Sequence, residues 1–247
     1  MGKYAHDTIV PDLDSNLPKK EQVALMLDQI APKYDFLNRF LSAGIDISWR
    51  KKALLKLRSH NPQAILDVAT GTADLAIMAS RLLNPKKIIG IDISEGMLEI
   101  GRKKILTGGL QNQISLHTGD SEQIPMEDNS FDAVTVSFGV RNFQNLEKGL
   151  QEIIRVLRPG GKLMVLEFSR PSIPGIQQLY NLYMNIVTPG VGRIFSKSRN
   201  AYQYLNDSVQ KFPEGKDFIA ILDKTGFHNT SFQRLSFGIC TIYTGEK

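Results

Sequence analysis

Cysteine is almost absent. Cys240 stands alone among 247 residues, so no internal disulfide can form and a reducing compartment is expected. The opening segment lacks the basic stretch and apolar run of a signal peptide, which adds to the expectation of a cytoplasmic protein. Glycine and proline, at 20 and 11 residues, show neither a tripeptide period nor a low-complexity tract, which excludes collagen-like and disordered classes. No Gly/Ser linker, charge block or internal repeat divides the chain. Neither sign of charge dominates: 30 basic against 25 acidic side chains leave +5, which permits a nucleic-acid or anionic-membrane partner but demands neither. No metal site is expected. Charge is missing altogether from Pro171 to Gly192, a run of 22 residues that is long enough to span a bilayer. Gln177, Gln178, Asn181, Asn185, two internal prolines and three glycines within it argue against a spanning helix.

With 42% hydrophobic and 22% charged residues, the chain can bury one large α/β core. Residues 1–18 read as a flexible tail that docks late or not at all, followed by a single domain over 19–247. Within that domain, 19–60 reads as a helical N-terminal addition. Apolar residues at 23, 26, 27 and 30 predict a helix from Glu21 to Ile30, with Pro32 beginning a new one. Trp49–Arg58 predicts another, with Arg50, Lys51, Lys52, Lys56 and Arg58 as its basic face. Beyond Pro62, short apolar runs at Ala64–Val68, Lys87–Ile91, Gln113–His117, Asp132–Phe138 and Lys162–Phe168 alternate with helical segments at Ala73–Leu83, Glu95–Leu106 and Leu146–Leu157. Right-handed crossovers between parallel neighbours then give an open sheet covered on both faces. A helix at Pro213–Thr225, ending at Gly226, leads into two antiparallel strands, Asn229–Leu235 and Phe237–Tyr243.

Ile65-Leu66-Asp67-Val68-Ala69-Thr70-Gly71-Thr72-Ala73-Asp74 is a strand entering a tight turn and then a helix. Such turns bring backbone N–H groups close to a ligand, and their small residues leave it room. Only Gly71 is glycine among the three positions of the usual glycine-rich form, so the turn alone is a weak motif and a plain strand-to-helix connection stays open. Asp92 ends the next strand, 21 residues after Gly71, where a carboxylate can accept from both hydroxyls of a ribose. Asp67 and Asp74 beside the loop would repel a pyrophosphate, so charge matching favours the cationic S-adenosylmethionine over a dinucleotide. Thr118-Gly119-Asp120-Ser121 could border an adenine. Ser137-Phe138-Gly139-Val140-Arg141-Asn142 follows the fourth strand, at the strand ends where open sheets bind ligands.

Further along, Arg155-Val156-Leu157-Arg158-Pro159-Gly160-Gly161-Lys162-Leu163, running into Leu166-Glu167-Phe168-Ser169, resembles a signature of the ubiquinone/menaquinone biosynthesis C-methyltransferases. Ala31-Pro32-Lys33-Tyr34-Asp35-Phe36-Leu37-Asn38 with Trp49-Arg50 resembles a second signature, departing from it at Asp46, where the family usually carries histidine. The Ser137–Asn142 stretch, Tyr202-Gln203-Tyr204-Leu205 and Phe212-Pro213 are similar to the family as well, so the likeness covers roughly residues 20 to 247. It implies a class I, Rossmann-like methyltransferase fold: a mostly parallel seven-stranded sheet with an antiparallel C-terminal strand, plus N-terminal helices. The implied reaction is methyl transfer from S-adenosyl-L-methionine to a ring carbon of a polyprenylated quinol, demethylmenaquinol by analogy.

The cofactor-binding residues expected are Asp67, Gly71, Thr72, Asp92, Asp120, Ser121 and Ser137, with Tyr34, Arg141 and Asn142 on the substrate side. Arg141, always protonated, suits stabilisation of a quinol phenolate. No base is named; His117 and His228 are expected in strands for structural reasons. The uncharged stretch, within a helical insertion at 172–212, is expected to cover the active site and bind the prenyl tail. Peripheral contact with the inner membrane face and a homodimer are further expectations; a nucleic-acid partner is not, for want of a basic stripe with interleaved aromatics. A methyltransferase acting on RNA or another small molecule, and a noncatalytic S-adenosylmethionine-binding protein, stay open.

Overall fold

The computed structural model describes residues 4–171, 173–178 and 199–247. Its centre is a seven-stranded sheet built from β1 (Ala64–Val68), β2 (Lys87–Asp92), β3 (Ile114–Thr118), β4 (Phe131–Ser137), β5 (Leu157–Phe168), β6 (His228–Leu235) and β7 (Cys240–Glu246). The order is β3-β2-β1-β4-β5-β7-β6. Every pairing is parallel up to β5, and β7 alone runs against the rest, wedged between β5 and β6.

The short apolar runs become strands because the sheet is buried on both faces. Alternate residues separate into two cores. Leu66, Val134 and Val165 face α5 (Leu146–Val156) and α7 (Lys216–Thr225). Ile65, Ala133 and Met164 face α2 (Ile45–Leu55), α3 (Asp74–Leu83) and α4 (Glu95–Thr107). Each fully buried Leu or Ile in these layers contributes about 1.5–3 kcal/mol. Local signals set the helix ends: Ser94 Oγ accepts the Met97 amide at 3.2 Å, the Asn145 side chain accepts Lys148 N, and Gly226, with φ of +109°, closes α7.

Three expectations are corrected here. Pro32 does not end a helix, since α1 runs unbroken from Lys19 to Leu41. The proline forfeits one backbone hydrogen bond, but Val23, Ala31 and Leu37 stay buried along the same helix. Asp28, one turn before the proline, ties it to α4 by accepting Ser94 Oγ at 2.6 Å and Gly96 N at 2.9 Å. The segment before α1 is not loose. Residues 5–8 form a 3₁₀ turn whose His6 is wholly buried against Phe212, and Tyr4 donates to Glu147 Oε1 at 2.7 Å. Arg50 does not belong to the exposed basic face of α2. It falls on the buried arc with Asp46, Trp49, Ala53 and Leu54, and pairs with Asp46.

The last two strands pair antiparallel, but Ser236 and Phe237 turn the chain with φ of +47° and +58°, so Phe237 leaves the strand. Of the insertion expected at 172–212, residues 172 and 179–198 lie outside the described residues. Its end forms α6 (Arg199–Lys211).

Candidate active site

The sheet's order reverses between β1 and β4, and the C-terminal ends of β1, β2 and β4 open there onto one cavity. After β1, Ala69, Gly71 and Ala73 take left-handed φ of +54°, +56° and +64°, folding the loop tightly back before α3 begins. A side chain at Gly71 would project into open space, which leaves that backbone approachable by a ligand. Gly139 is needed for a different reason: a Cβ there would collide with that of Ala69.

Asp92 organises the loop. It is buried, accepting Gly71 N at 2.8 Å and Ser94 N at 2.9 Å, and burial pushes its carboxyl above the ordinary range. Lone pairs remain on both oxygens for two ribose hydroxyls. A narrow slot beside it is lined by Ile93, Gly119, Asp120, Ser121 and Phe143, where an adenine would lie. Asp120 pairs there with Lys20 at 2.8 Å and accepts the Glu122 amide. Ser137 lines the main cavity, yet its Oγ is buried without a hydrogen-bonding partner among the described residues. An orphaned hydroxyl at a strand end, an open glycine and a buried carboxylate together fit S-adenosylmethionine.

Not every expected cofactor residue faces that space. Asp67 lies beneath the loop, accepting Thr70 Oγ1 and Thr135 Oγ1, each at 2.6 Å; burial pushes its pKa up to about 6. Thr72 is buried and lines neither the slot nor the cavity, donating to Asp35 Oδ1 at 2.6 Å and accepting Lys104 Nζ at 3.0 Å. Asp74 pairs with Lys104 and Arg39. The acidity on the ligand side of the loop therefore belongs to Asp92, and Asp67 and Asp74 instead brace the loop. The same charges form a chain, Arg50–Asp46–Arg39–Asp74–Lys104–Asp35, which fastens α1 and α2 to the cofactor loop.

The cavity, about 570 Å³, is largely apolar. Helix α1 roofs it with Met26, Leu27, Ile30, Tyr34, Leu37 and Asn38, and α6 adds Tyr204, Leu205 and Val209. Of these Tyr34 was expected at the site by name, and the three α6 residues fall in the insertion at 172–212 expected over it. The roofing role of α1 is missing from local sequence because its apolar stripe reads as ordinary core, while Tyr204 is flagged only by the motif around it.

Arg141 and Asn142 sit at the cavity wall after β4. The Arg141 Nη1 donates to Glu167 Oε1 at 2.5 Å and to the Phe138 carbonyl at 2.6 Å, while its buried Nε has no partner among the described residues. The guanidinium also lies 5.5 Å from the Phe168 ring centre. Lys19 Nζ holds the Arg141 carbonyl, and Tyr204 donates to Asn142 Oδ1 at 3.0 Å. Burial pushes the Tyr204 hydroxyl well up, so it stays a donor. Asp46, also in the wall, is pushed up by burial, but the Ser42 hydroxyl and the Arg50 and Arg39 guanidiniums outweigh that and hold it below the usual carboxylate range.

Solved structures share this architecture. A possible histamine N-methyltransferase from Thermotoga maritima aligns with a TM-score of 0.56 at 19% identity, covering 90% of this chain and 99% of that one. A putative methyltransferase solved with the Haloferax volcanii Trm112 activator aligns at 0.64 and 14%, covering 89% and 96%. At these identities they speak to fold alone. Sequence relatives are much nearer. A demethylmenaquinone methyltransferase of Bacteroides fragilis is 48% identical over 244 residues, 99% of each chain. A ubiquinone/menaquinone biosynthesis C-methyltransferase UbiE of Geotalea daltonii is 45% identical over 230 residues, 93% of this chain and 97% of its own. The model of the ubiE/COQ5 methyltransferase family matches residues 16–247, and the chain belongs to that family.

Proposed function

We propose that this protein methylates a ring carbon of a polyprenylated quinol, demethylmenaquinol, with S-adenosylmethionine as donor. The observation that carries the reading is the apolar cavity of about 570 Å³ that shares walls with the cofactor slot, Ala69, Asp92, Gly139 and Asn142 bordering both. Its size suits a small aromatic ligand with the start of a tail, and its apolar walls favour a quinol over RNA. Bound S-adenosylmethionine supplies an electrophilic methyl on a sulfonium. The chain holds the quinol ring against it and makes the ring carbon nucleophilic.

A quinol carbon gains nucleophilicity when the adjacent hydroxyl loses its proton, and Arg141 is placed to stabilise the resulting phenolate. Glu167 and the Phe138 carbonyl fix the guanidinium through Nη1, which leaves Nη2 for the substrate oxygen. Asn142, oriented by Tyr204, and Tyr34 complete the polar contacts available to the ring. Asp46, kept ionised by its partners, is too weak a base to take the proton. Expression in cells lacking their own enzyme, with mass spectrometry of the quinone pool, tests the reading. A methyl gained by demethylmenaquinone is expected, and no methylated quinone of any class would refute it.

The same reading places the protein peripherally at a membrane, where its substrate's tail resides. Among the described residues no helix is long and apolar enough to cross one. The exposed half of α2 interleaves Ile45, Ile47 and Leu55 with Lys51 and Lys52, followed by Lys56, and carries no carboxylate; Phe36 and Phe40, stacked and half exposed, add apolar surface on α1. Such a face suits anionic lipid. Flotation with anionic but not zwitterionic liposomes is expected, and no flotation with either removes the membrane contact.

A further inference from the structure

Arg50 is an expensive residue to bury. It is only 6% exposed and lines the apolar cavity, and the carboxylate beside it takes up only one of its nitrogens. Asp46 already accepts Ser42 Oγ on Oδ1 and Arg39 Nη1 on Oδ2, both at 2.8 Å. Arg50 adds its Nη1 to Oδ2 as a third donor. The Nε and Nη2 of Arg50 have no acceptor among the described residues. Desolvating a guanidinium for a single carboxylate contact gains a fold little, and an apolar side chain would pack there at lower cost.

Its surroundings repeat those of Arg141. The Arg50 guanidinium lies 5.4 Å from the centre of the Phe138 ring, and that of Arg141 lies 5.5 Å from the centre of Phe168. The two rings stack on each other at 4.4 Å and 28°. Each arginine carries one buried carboxylate partner, Asp46 or Glu167. The cavity wall thus presents two guanidiniums with unspent donors, one over each ring of an aromatic pair, in a space that is otherwise largely apolar. A ring that carries two oxygens offers an acceptor to each set of donors, whereas a ring with one oxygen leaves one set unanswered.

We infer that Arg50 is a substrate-binding residue that holds the second quinol oxygen, para to the one served by Arg141, and so sets the preference for a dihydroxy ring. This rests on the quinol reading of the cavity. The test compares two probes, a prenylated naphthohydroquinone and its analogue with the hydroxyl para to the reacting side replaced by hydrogen. Removing that hydroxyl alters the ring's own reactivity equally for every enzyme form, so the informative quantity is how the ratio of kcat/KM values changes between forms. Losing a hydrogen bond from a charged donor lowers the ratio about ten- to a hundredfold in Arg50→Gln relative to the wild type. Asp46→Asn/Arg50→Gln removes both charges and guards against loss of folding; the same fall is expected. A wild-type ratio retained in either folded variant overturns the inference. A wild type inactive on both probes instead overturns the quinol reading itself, which is seen before any variant is made.

Discussion

Ser137→Ala should act with opposite signs on the free and the cofactor-bound protein. In the free chain the hydroxyl is buried and unpartnered among the described residues, a situation that costs roughly 1–3 kcal/mol for a neutral polar group. Its removal, offset by the small void it leaves, should stabilise the free protein by about 1 kcal/mol. For a domain of this size that raises the melting temperature by roughly 2–4 °C. Ser137 lines the cavity, and one χ1 rotation presents the hydroxyl to a bound cofactor. The hydrogen bond formed there contributes about 1 kcal/mol net to the complex, and its loss adds to the gain of the free protein, so the variant should bind S-adenosylmethionine about thirtyfold more weakly. Thermal unfolding without cofactor and calorimetric titration with it measure the two effects separately. A lower melting temperature combined with unchanged affinity would refute the assignment of Ser137 to the cofactor and make it a packing residue.

Arg141→Ala should lower kcat/KM by about 100- to 1,000-fold, with Arg141→Lys recovering part of it. Because removal strands Glu167 in the core, Arg141→Ala/Glu167→Gln serves as the folded control, and unchanged rates in either alanine variant would exclude phenolate stabilisation. His6, held neutral chiefly by burial and then by the nearby Lys19, has its pKa lowered to about 4. A base whose folded pKa is depressed contributes stability above its unfolded value of about 6.5 and loses it as pH falls toward 4, by roughly 2 kcal/mol at pH 5. Protection factors over residues 4–9, that is exchange corrected for its intrinsic pH dependence, should therefore fall between pH 7 and 5, while His6→Phe, which retains an aromatic against Phe212, should keep them level. Lys104→Met breaks the contacts to Asp35, Thr72 and Asp74 together; cofactor affinity should fall several-fold, with kcat at saturation preserved, and unchanged affinity would detach the ion-pair chain from cofactor binding.

The strands were legible because a doubly covered parallel sheet writes its members as short apolar runs. Ala64–Val68 matches to the residue, and the other four parallel strands were located, with β5 starting five residues earlier than expected. Asp92, Ser137 and Asn142 were legible as positions because strand ends at an order reversal are where such sheets bind. What was not legible depended on partners far away in sequence. His6 reads as a polar residue in a polar tail until Phe212 covers it. Pro32 reads as a helix end until Asp28 ties the turn before it to α4. Arg50 reads as one more basic residue on a basic helix. Its burial follows from the phase of α2, which a start placed at Trp49 instead of Ile45 obscures.

One helix, α1, roofs both the quinol cavity and, through Val23 and Leu27, the slot beside it. Two ligands beneath a common roof cannot exchange independently. Seated against the shared wall of Ala69, Asp92, Gly139 and Asn142, the quinol covers the cavity-facing side of the cofactor. Turnover should follow a compulsory order in steady-state kinetics, cofactor first on and its demethylated product last off. That spent product should then inhibit competitively against S-adenosylmethionine and noncompetitively against the quinol.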